Sequence, residues 1–209
     1  MTPINFCALI LTHGRPERVT TYDTLRESGY TGEIRIVVDD LDDTLPAYLG
    51  KYGDEVRVFD KAAVARRVDS ADNTGDWRTI LYARNAAFDI ARAEGFTHFI
   101  QLDDDYRAFV WRFDETFSYL REWVVCRQLD AVFFRLVEFL DRSGAATVAV
   151  AQGGDFIGGE VGSPNAKAVK LTRKTMNTFV CSTARPVEFV GRINEDVNTY
   201  VARGGVGEL

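Results

Sequence analysis

The sequence predicts an α/β fold, a mostly parallel sheet with helices packed on both faces. Three observations lead there. Short apolar runs alternate with segments of helical spacing through the first half of the chain, the pattern of strands joined by helical crossovers. The apolar runs are continuous, as in strands buried on both faces. Three polar clusters follow these runs: Thr12 to Arg15, Asp39-Asp40 and Asp103 to Asp105. In open sheets of this class ligands bind beyond the carboxyl ends of the strands, so the clusters are expected to meet along one edge.

The elements follow in order. Phe6 to Leu11 reads as a buried strand. Pro16 suits the first turn of a helix. Val19, Tyr22, Leu25 and Arg26 keep helical spacing, and Gly29 closes that helix. Ile34 to Val38 is a second strand, Leu45 to Tyr52 a helix, and Val56 to Phe59 a third strand. Arg66 to Trp77 is polar and irregular, a loop. Thr79 to Glu94 is a helix with Ile80, Ala83, Ala87, Ile90 and Ala91 on one face, stopped by Gly95. His98 to Leu102 is the next strand. In the second half, Tyr106 to Phe113 reads as a strand, and Phe117 to Gln128 and Ala131 to Leu140 as helices. Thr147 to Ala151 and Thr175 to Ser182 read as strands, and Glu195 to Arg203 as a helix. There is no internal repeat or linker signal, so residues 1–209 are expected to form one domain. The glycine-rich end, Gly204 to Leu209, reads as a frayed tail or a truncation.

Composition narrows the classes. At 46% hydrophobic over 209 residues, the chain can bury a sizeable core. A net charge of −6 lacks the overall basic footprint of a nucleic-acid binder. One basic stretch stands apart, Lys167, Lys170, Arg173 and Lys174, either a DNA-phosphate track or a solvated face. Cys7, Cys126 and Cys181 are widely spaced, which fits neither a disulfide framework nor a zinc cluster. The N-terminus lacks a signal-peptide pattern, and no apolar run is long enough to cross a bilayer. A cytoplasmic protein is expected.

The run Asp103-Asp104-Asp105 carries the most chemistry. Three adjacent like charges repel one another, so a strand that ends in them is expected to hold a cation or several hydrogen-bond donors there. Asp103 and Asp105 point the same way on an extended backbone. That spacing suits Mg2+ or Mn2+, hard ions that take oxygen ligands and keep positions open for phosphates. A solvated acidic turn is the alternative.

The order of these features resembles the GT-A glycosyltransferases. Asp103-Asp104-Asp105 matches their D-x-D motif, Asp39 their second-strand acid, Arg84-Asn85 their Arg-Asn pair, and Glu195-Asp196 their late Glu-Asp pair. The chain is more closely similar to a phage-associated branch found beside TET/JBP-type oxygenases, thought to glycosylate hydroxymethylpyrimidines in DNA. Leu11 to Arg15, Ala83 to Asn85, Leu102 to Tyr106, Gln152 to Asp155 and Asn194 to Asn198 carry that match, which spans Phe6 to Arg203. The family usually continues past this point, so any contact from a later segment would be missing.

The resemblance implies a GT-A fold, a nucleotide-sugar donor with a UDP-sugar favoured, Mn2+ or Mg2+, and DNA carrying hydroxymethylated pyrimidines as acceptor. It implies roles as well. Asp103 and Asp105 hold the metal, or Asp103 takes a ribose hydroxyl. Thr12, Gly14, Arg15, Asp39, Arg84, Asn85, Asp103 and Asp104 meet the donor. Asp196 is the general base of an inverting transfer, assisted by Glu195, and Gln152, Gly153, Gly154 and Asp155 wall the acceptor pocket. Ordinary explanations stand beside these: a surface position for Arg15, a salt bridge from Arg84 to Asp103 or Asp105, helix capping for Asn194 to Asp196, and a tight turn at Gly153-Gly154. Three rivals remain: a glycosyltransferase acting on polysaccharide, lipid or protein; a sugar nucleotidyltransferase, for which Thr12 to Arg15 is a poor glycine-rich loop; and a non-catalytic nucleotide- or DNA-binding module.

Overall fold

A computed structural model describes residues 4–72, 74–151 and 176–208. Its main sheet contains β1 (Phe6–Leu11), β2 (Glu33–Asp39), β3 (Val56–Phe59), β4 (His98–Asp103), β7 (Val148–Ala149) and β8 (Phe179–Ser182), in the order β3-β2-β1-β4-β8-β7. The first four are mutually parallel, while β8 runs antiparallel to β4 and to β7. The α/β architecture expected from the apolar runs is therefore the one observed. No helix among the described residues is long and apolar enough to cross a membrane.

Side-chain alternation along each strand builds two cores. From β1, Cys7, Leu9 and Leu11 join one face, where Leu81, Ala87, Phe88 and Ala91 of α4 (Leu81–Ala93) pack. Ala8 and Ile10 join the other, with Leu25 of α1 (Thr20–Glu27) and Phe133, Val137 and Leu140 of α5 (Leu129–Ser143). Both faces are thus covered, which explains why the strands read as continuous apolar runs.

Beyond the end of α1, Gly29 has φ +82°. A Cβ there would lie 2.4 Å from the Arg127 carbonyl oxygen. The glycine therefore serves both the left-handed turn and the close passage of the chain entering α5.

Several boundaries differ from the sequence reading. The helix expected over Phe117 to Gln128 is instead the second arm of a hairpin, β5 (Val110–Phe113) with β6 (Tyr119–Val125). The physical reason is local. Asp114 Oδ1 accepts the backbone N–H groups of Thr116 and Ser118 and folds a turn. The aromatic and β-branched residues Tyr119, Trp123, Val124 and Val125 then favour extended backbone. The strand expected from Tyr106 begins only at Val110. Pro16 starts a separate 3-10 turn ahead of α1, and a short helix, α3 (Lys61–Ala65), occupies chain that had no assignment. Helices α2 (Leu45–Tyr52) and α6 (Glu195–Gly204) stand where expected.

The connections run from β1 outward through β2 to β3, then return to place β4 on the other side of β1. The reversal puts the topological switch point at the carboxyl ends of β1 and β4, the place where such sheets commonly bind ligands.

Candidate functional site

Leu11 and Asp103 are register partners on the paired strands β1 and β4, so Thr12 and Asp104 emerge side by side. Thr12 Oγ1 donates to Asp104 Oδ2 at 2.5 Å and lies 2.8 Å from the Tyr48 hydroxyl. Tyr48 in turn accepts the Arg15 backbone N–H, and the Arg15 guanidinium reaches Asp104 Oδ2 at 2.9 Å. Asp104 is 1% exposed. The middle carboxylate therefore ties down the β1–α1 loop through its Oδ2, while its buried Oδ1 has no hydrogen-bond partner among the described residues. Thr21 braces the same turn, donating to the Asp103 carbonyl and accepting from the Tyr106 N–H. Gly14, in the left-handed region, donates its N–H to Asp42 Oδ2 at 2.7 Å.

Arg84 is fully buried. Its Nε donates to Glu195 Oε1 at 2.8 Å and its Nη2 to Asp103 Oδ1 at 3.1 Å. The guanidinium also lies near the rings of Phe179 and Phe189, 4.9 and 5.8 Å from their centroids. The salt bridge that stood beside the ligand role for Arg84 is present, and it extends to both the strand-end acids and the start of α6. Asn85, beside it, is a clamp. Its amide donates to the Leu81 and Phe189 carbonyls and its oxygen accepts the Phe189 N–H at 3.0 Å. With both polar ends engaged and the residue buried, Asn85 holds the 189 segment against α4.

Asp103 is the perturbed acid here. Burial, together with the charges of Asp105, Glu195 and Asp104, pushes its carboxyl up to about 6 despite the opposing pull of Arg84. Asp105 is exposed. Among the described residues no group of three or more His, Cys, Asp or Glu side chains is gathered to hold a metal. Asp103 and Asp105 offer two hard oxygen ligands at a strand end with excess negative charge. That set fits a Mg2+-type ion that completes its shell with phosphate and water rather than a protein cage.

On the other side of β1 a cleft of about 260 Å³ opens at the ends of β1, β2 and β3, lined by residues that include Thr12, His13, Arg15, Asp39, Phe59, Lys61, Arg78 and Thr79. Asp39 is buried there. Its Oδ2 meets His13 Nδ1 at 2.8 Å and accepts from Lys61 Nζ at 3.3 Å, and its Oδ1 accepts the Leu41 N–H. Asp42 is buried too. Burial alone would raise its carboxyl, but bonds from Thr44 and Gly14 and the nearby His13 hold it below the ordinary value.

At the opposite end of the edge, α6 begins at Glu195 after Asn194, which is left-handed and gives no side-chain cap. The capping alternative for Asn194 is therefore not observed. Asp196 is buried and its Oδ1 accepts its own helix's Val197 N–H at 2.8 Å. Asn198 fastens the preceding turn through the Val190 and Ile193 carbonyls. Gln152, Gly153, Gly154 and Asp155, and the basic positions 167, 170, 173 and 174, lie outside the described residues.

A family model described as TET-Associated Glycosyltransferase matches residues 6–208. The chain belongs to the TET-associated glycosyltransferase family. No curated protein matches it. Solved structures similar to it include TarS 1–349 from S. aureus in complex with UDP, at 13% identity and a TM-score of 0.49, covering 94% of this chain and 54% of that one. Another is glucosyl-3-phosphoglycerate synthase from Mycobacterium tuberculosis in complex with Mg2+ and UDP, at 11% identity and a TM-score of 0.46, covering 97% of this chain and 66% of that one. The chain thus spans between about half and two thirds of the length of these two chains.

The sequence reading missed Tyr48, Asp42, Lys61, Arg78 and Thr79. Tyr48 and Lys61 carried no local signal, since each reaches the site only by packing of its helix. Asp42 did have one: it sits in the acidic run Asp39 to Asp43 and three residues before α2.

Proposed function

We propose that this chain is a metal-dependent, inverting glycosyltransferase that moves a sugar from a nucleotide-sugar to the hydroxymethyl oxygen of a 5-hydroxymethylpyrimidine in DNA. The observation that carries the reading is the buried Arg84. One guanidinium joins Asp103, at the end of the D-x-D strand, to Glu195, next to the candidate base Asp196. Family membership supports sugar transfer, and the association with TET-type oxygenases supports the DNA acceptor.

The residues divide the work along the edge. The cleft at Thr12, Asp39 and Phe59 takes the nucleoside, and Arg15 faces the diphosphate. Asp103 and Asp105 would hold a divalent ion, which neutralises the charge of the leaving diphosphate when bound. Glu195 is committed to Arg84, so the proton falls to Asp196. As the acceptor oxygen bonds to the anomeric carbon, Asp196 takes its proton and the bond from that carbon to the nucleotide breaks, releasing the nucleoside diphosphate.

The test incubates the chain with a panel of nucleotide-sugars, UDP-sugars first, and hydroxymethylcytosine-containing DNA, with Mn2+ or EDTA. Mass spectrometry of the digested nucleosides reads the product. A hexose-sized gain that requires metal is expected. Donor hydrolysis without transfer to DNA removes the acceptor from the proposal, and transfer in EDTA removes the metal.

A further inference from the structure

We infer that Trp77 is the platform on which the acceptor base stacks, with Ile193 at its side, in the gap between the donor cleft and Asp196. The inference rests on the reading of the acceptor as a base in DNA given above.

The loop between α3 and α4 is fastened to the turn before α6 at several points. The Gly191 N–H donates to the Asp69 carbonyl and the Arg192 N–H to the Ser70 carbonyl, both at 2.8 Å. The Thr79 hydroxyl donates to the Arg192 carbonyl at 2.9 Å, and the Arg192 guanidinium reaches back to Asp72 and Asp76. Aspartates also fold the loop itself, Asp72 accepting the Thr74 N–H and Asp76 the Arg78 N–H. The two segments therefore form one built surface. On one flank, Arg78, Thr79 and Ile80 line the donor cleft. On the other, the turn runs on into Glu195 and Asp196.

Two large apolar side chains stand at this junction and are open to solvent. Trp77 is 38% exposed and Ile193 64%. The Trp77 ring is held from behind by the buried Tyr82, their centroids 6.4 Å apart and their planes at 72°. Single exposed apolar residues need no explanation, but these two lie where the acceptor has to be. Its hydroxyl must reach the sugar beside the cleft and Asp196 at the same moment, so the ring that carries the hydroxymethyl group rests on what lies between them. A pyrimidine is flat and offers a π-face, and an indole is a matching surface for it. Stacking needs no basic track, which suits a chain of net charge −6. Inside a duplex both faces of the base are already covered, so the base meets Trp77 only out of the stack.

The test uses a single-stranded oligonucleotide carrying one 5-hydroxymethylcytosine, so that no unpairing cost enters, with UDP and Mn2+ present. The readout needs no sugar transfer. Trp111→Phe with Trp123→Phe leaves Trp77 as the sole one of the chain's 3 tryptophans. Its emission should be quenched as the strand binds, and an abasic site in place of the hydroxymethylcytosine should remove most of that quenching. In the otherwise unaltered chain, Trp77→Ala should weaken strand binding, read by anisotropy of a labelled strand, by at least about fivefold. Calorimetry should show its affinity for UDP unchanged, which also reports a folded donor site. Trp77→Phe keeps an aromatic face and should recover most of the loss. Equal strand binding by Trp77→Ala and the wild type overturns the inference, as does equal quenching by the abasic strand. Weaker UDP binding by Trp77→Ala with strand binding intact overturns it too, and places the indole at the donor. If the wild type binds no strand, the DNA reading falls and takes this inference with it. Binding and quenching without transfer from any nucleotide-sugar uphold the platform and remove only the proposed reaction.

Discussion

Replacing Arg84 with Met tests whether one guanidinium truly holds the two halves of the site. Met fills a similar space between Phe179 and Phe189, so the packing change is small. What is lost are two charge-assisted bonds, to Glu195 and to Asp103. Removing one partner of a buried ion pair costs about 3–5 kcal/mol. The Asp103 side chain is 23% exposed and that of Glu195 11%, so water can reach part of each, and the low end, about 3 kcal/mol, is expected. Taking about 2.1 cal/mol/K per residue for the unfolding entropy, a chain of 209 residues should lose about 7 °C in Tm. Urea unfolding at pH 7 should show a lower midpoint with an unchanged slope. The decisive control is Arg84→Met in an Asp103→Asn, Glu195→Gln background. There no carboxylate is stranded, and the same change should cost under about 1 kcal/mol. An equal cost in both backgrounds would refute the strut, because it would show that packing alone was lost.

Other consequences are open to direct measurement. The Asp103 carboxyl, pushed up to about 6, binds its proton more tightly in the folded than in the unfolded chain. Its contribution to stability is therefore present below the unfolded value and is lost as pH rises through about 6. In metal-free protein, Asp103→Asn should gain on the wild type by about 2 kcal/mol between pH 4 and pH 7, read from urea midpoints at each pH; a constant difference would contradict the buried, like-charged environment. Asp196→Asn should lower kcat by about 10²- to 10⁴-fold while titration shows unchanged nucleotide affinity. A loss in affinity alone would make it a binding residue. Gly29→Ala, whose Cβ would sit 2.4 Å from a backbone oxygen, should cost more than Gly144→Ala, which shares the left-handed backbone but has open space. About 1 kcal/mol is expected at Gly144 and at least about twice that at Gly29, by thermal melting.

How much of this was legible depends on the range of the forces involved. β1, β2 and β4 could be read because strands covered on both faces are mostly apolar, and the edge strand β3 because its valines and phenylalanine form a short apolar run. The turn at Gly29 could be read because only a glycine fits its backbone. The meeting of Thr12, Asp39 and Asp103 along one edge followed from parallel strands alone. By contrast, the segment 117–128 has residues compatible with either period, and the Asp114 turn that decides between them is a side-chain bond no periodicity contains. The site was legible in place but not in wiring. Arg84 and Asn85 look alike in sequence as polar residues in mid-helix. Their partners at Glu195 and Phe189 lie more than a hundred positions away and are fixed only once α6 and the 189 segment dock on α4.

The three consecutive aspartates at the end of β4 are chemically identical and yet do not share a job. The turn that follows the strand directs the middle one inward, onto Thr12 and Arg15, while Asp103 meets Arg84 and Asp105 is exposed. On the proposed reading, the backbone has thus sorted one residue type into two roles, tether and ion ligand, without any change in composition. An engineer who wants a softer ion could alter Asp103 or Asp105 and keep the scaffold. The same exchange at Asp104 would leave the ion's ligands in place and release the first loop instead, so an assay of metal affinity would miss the damage while an assay of nucleotide binding would register it.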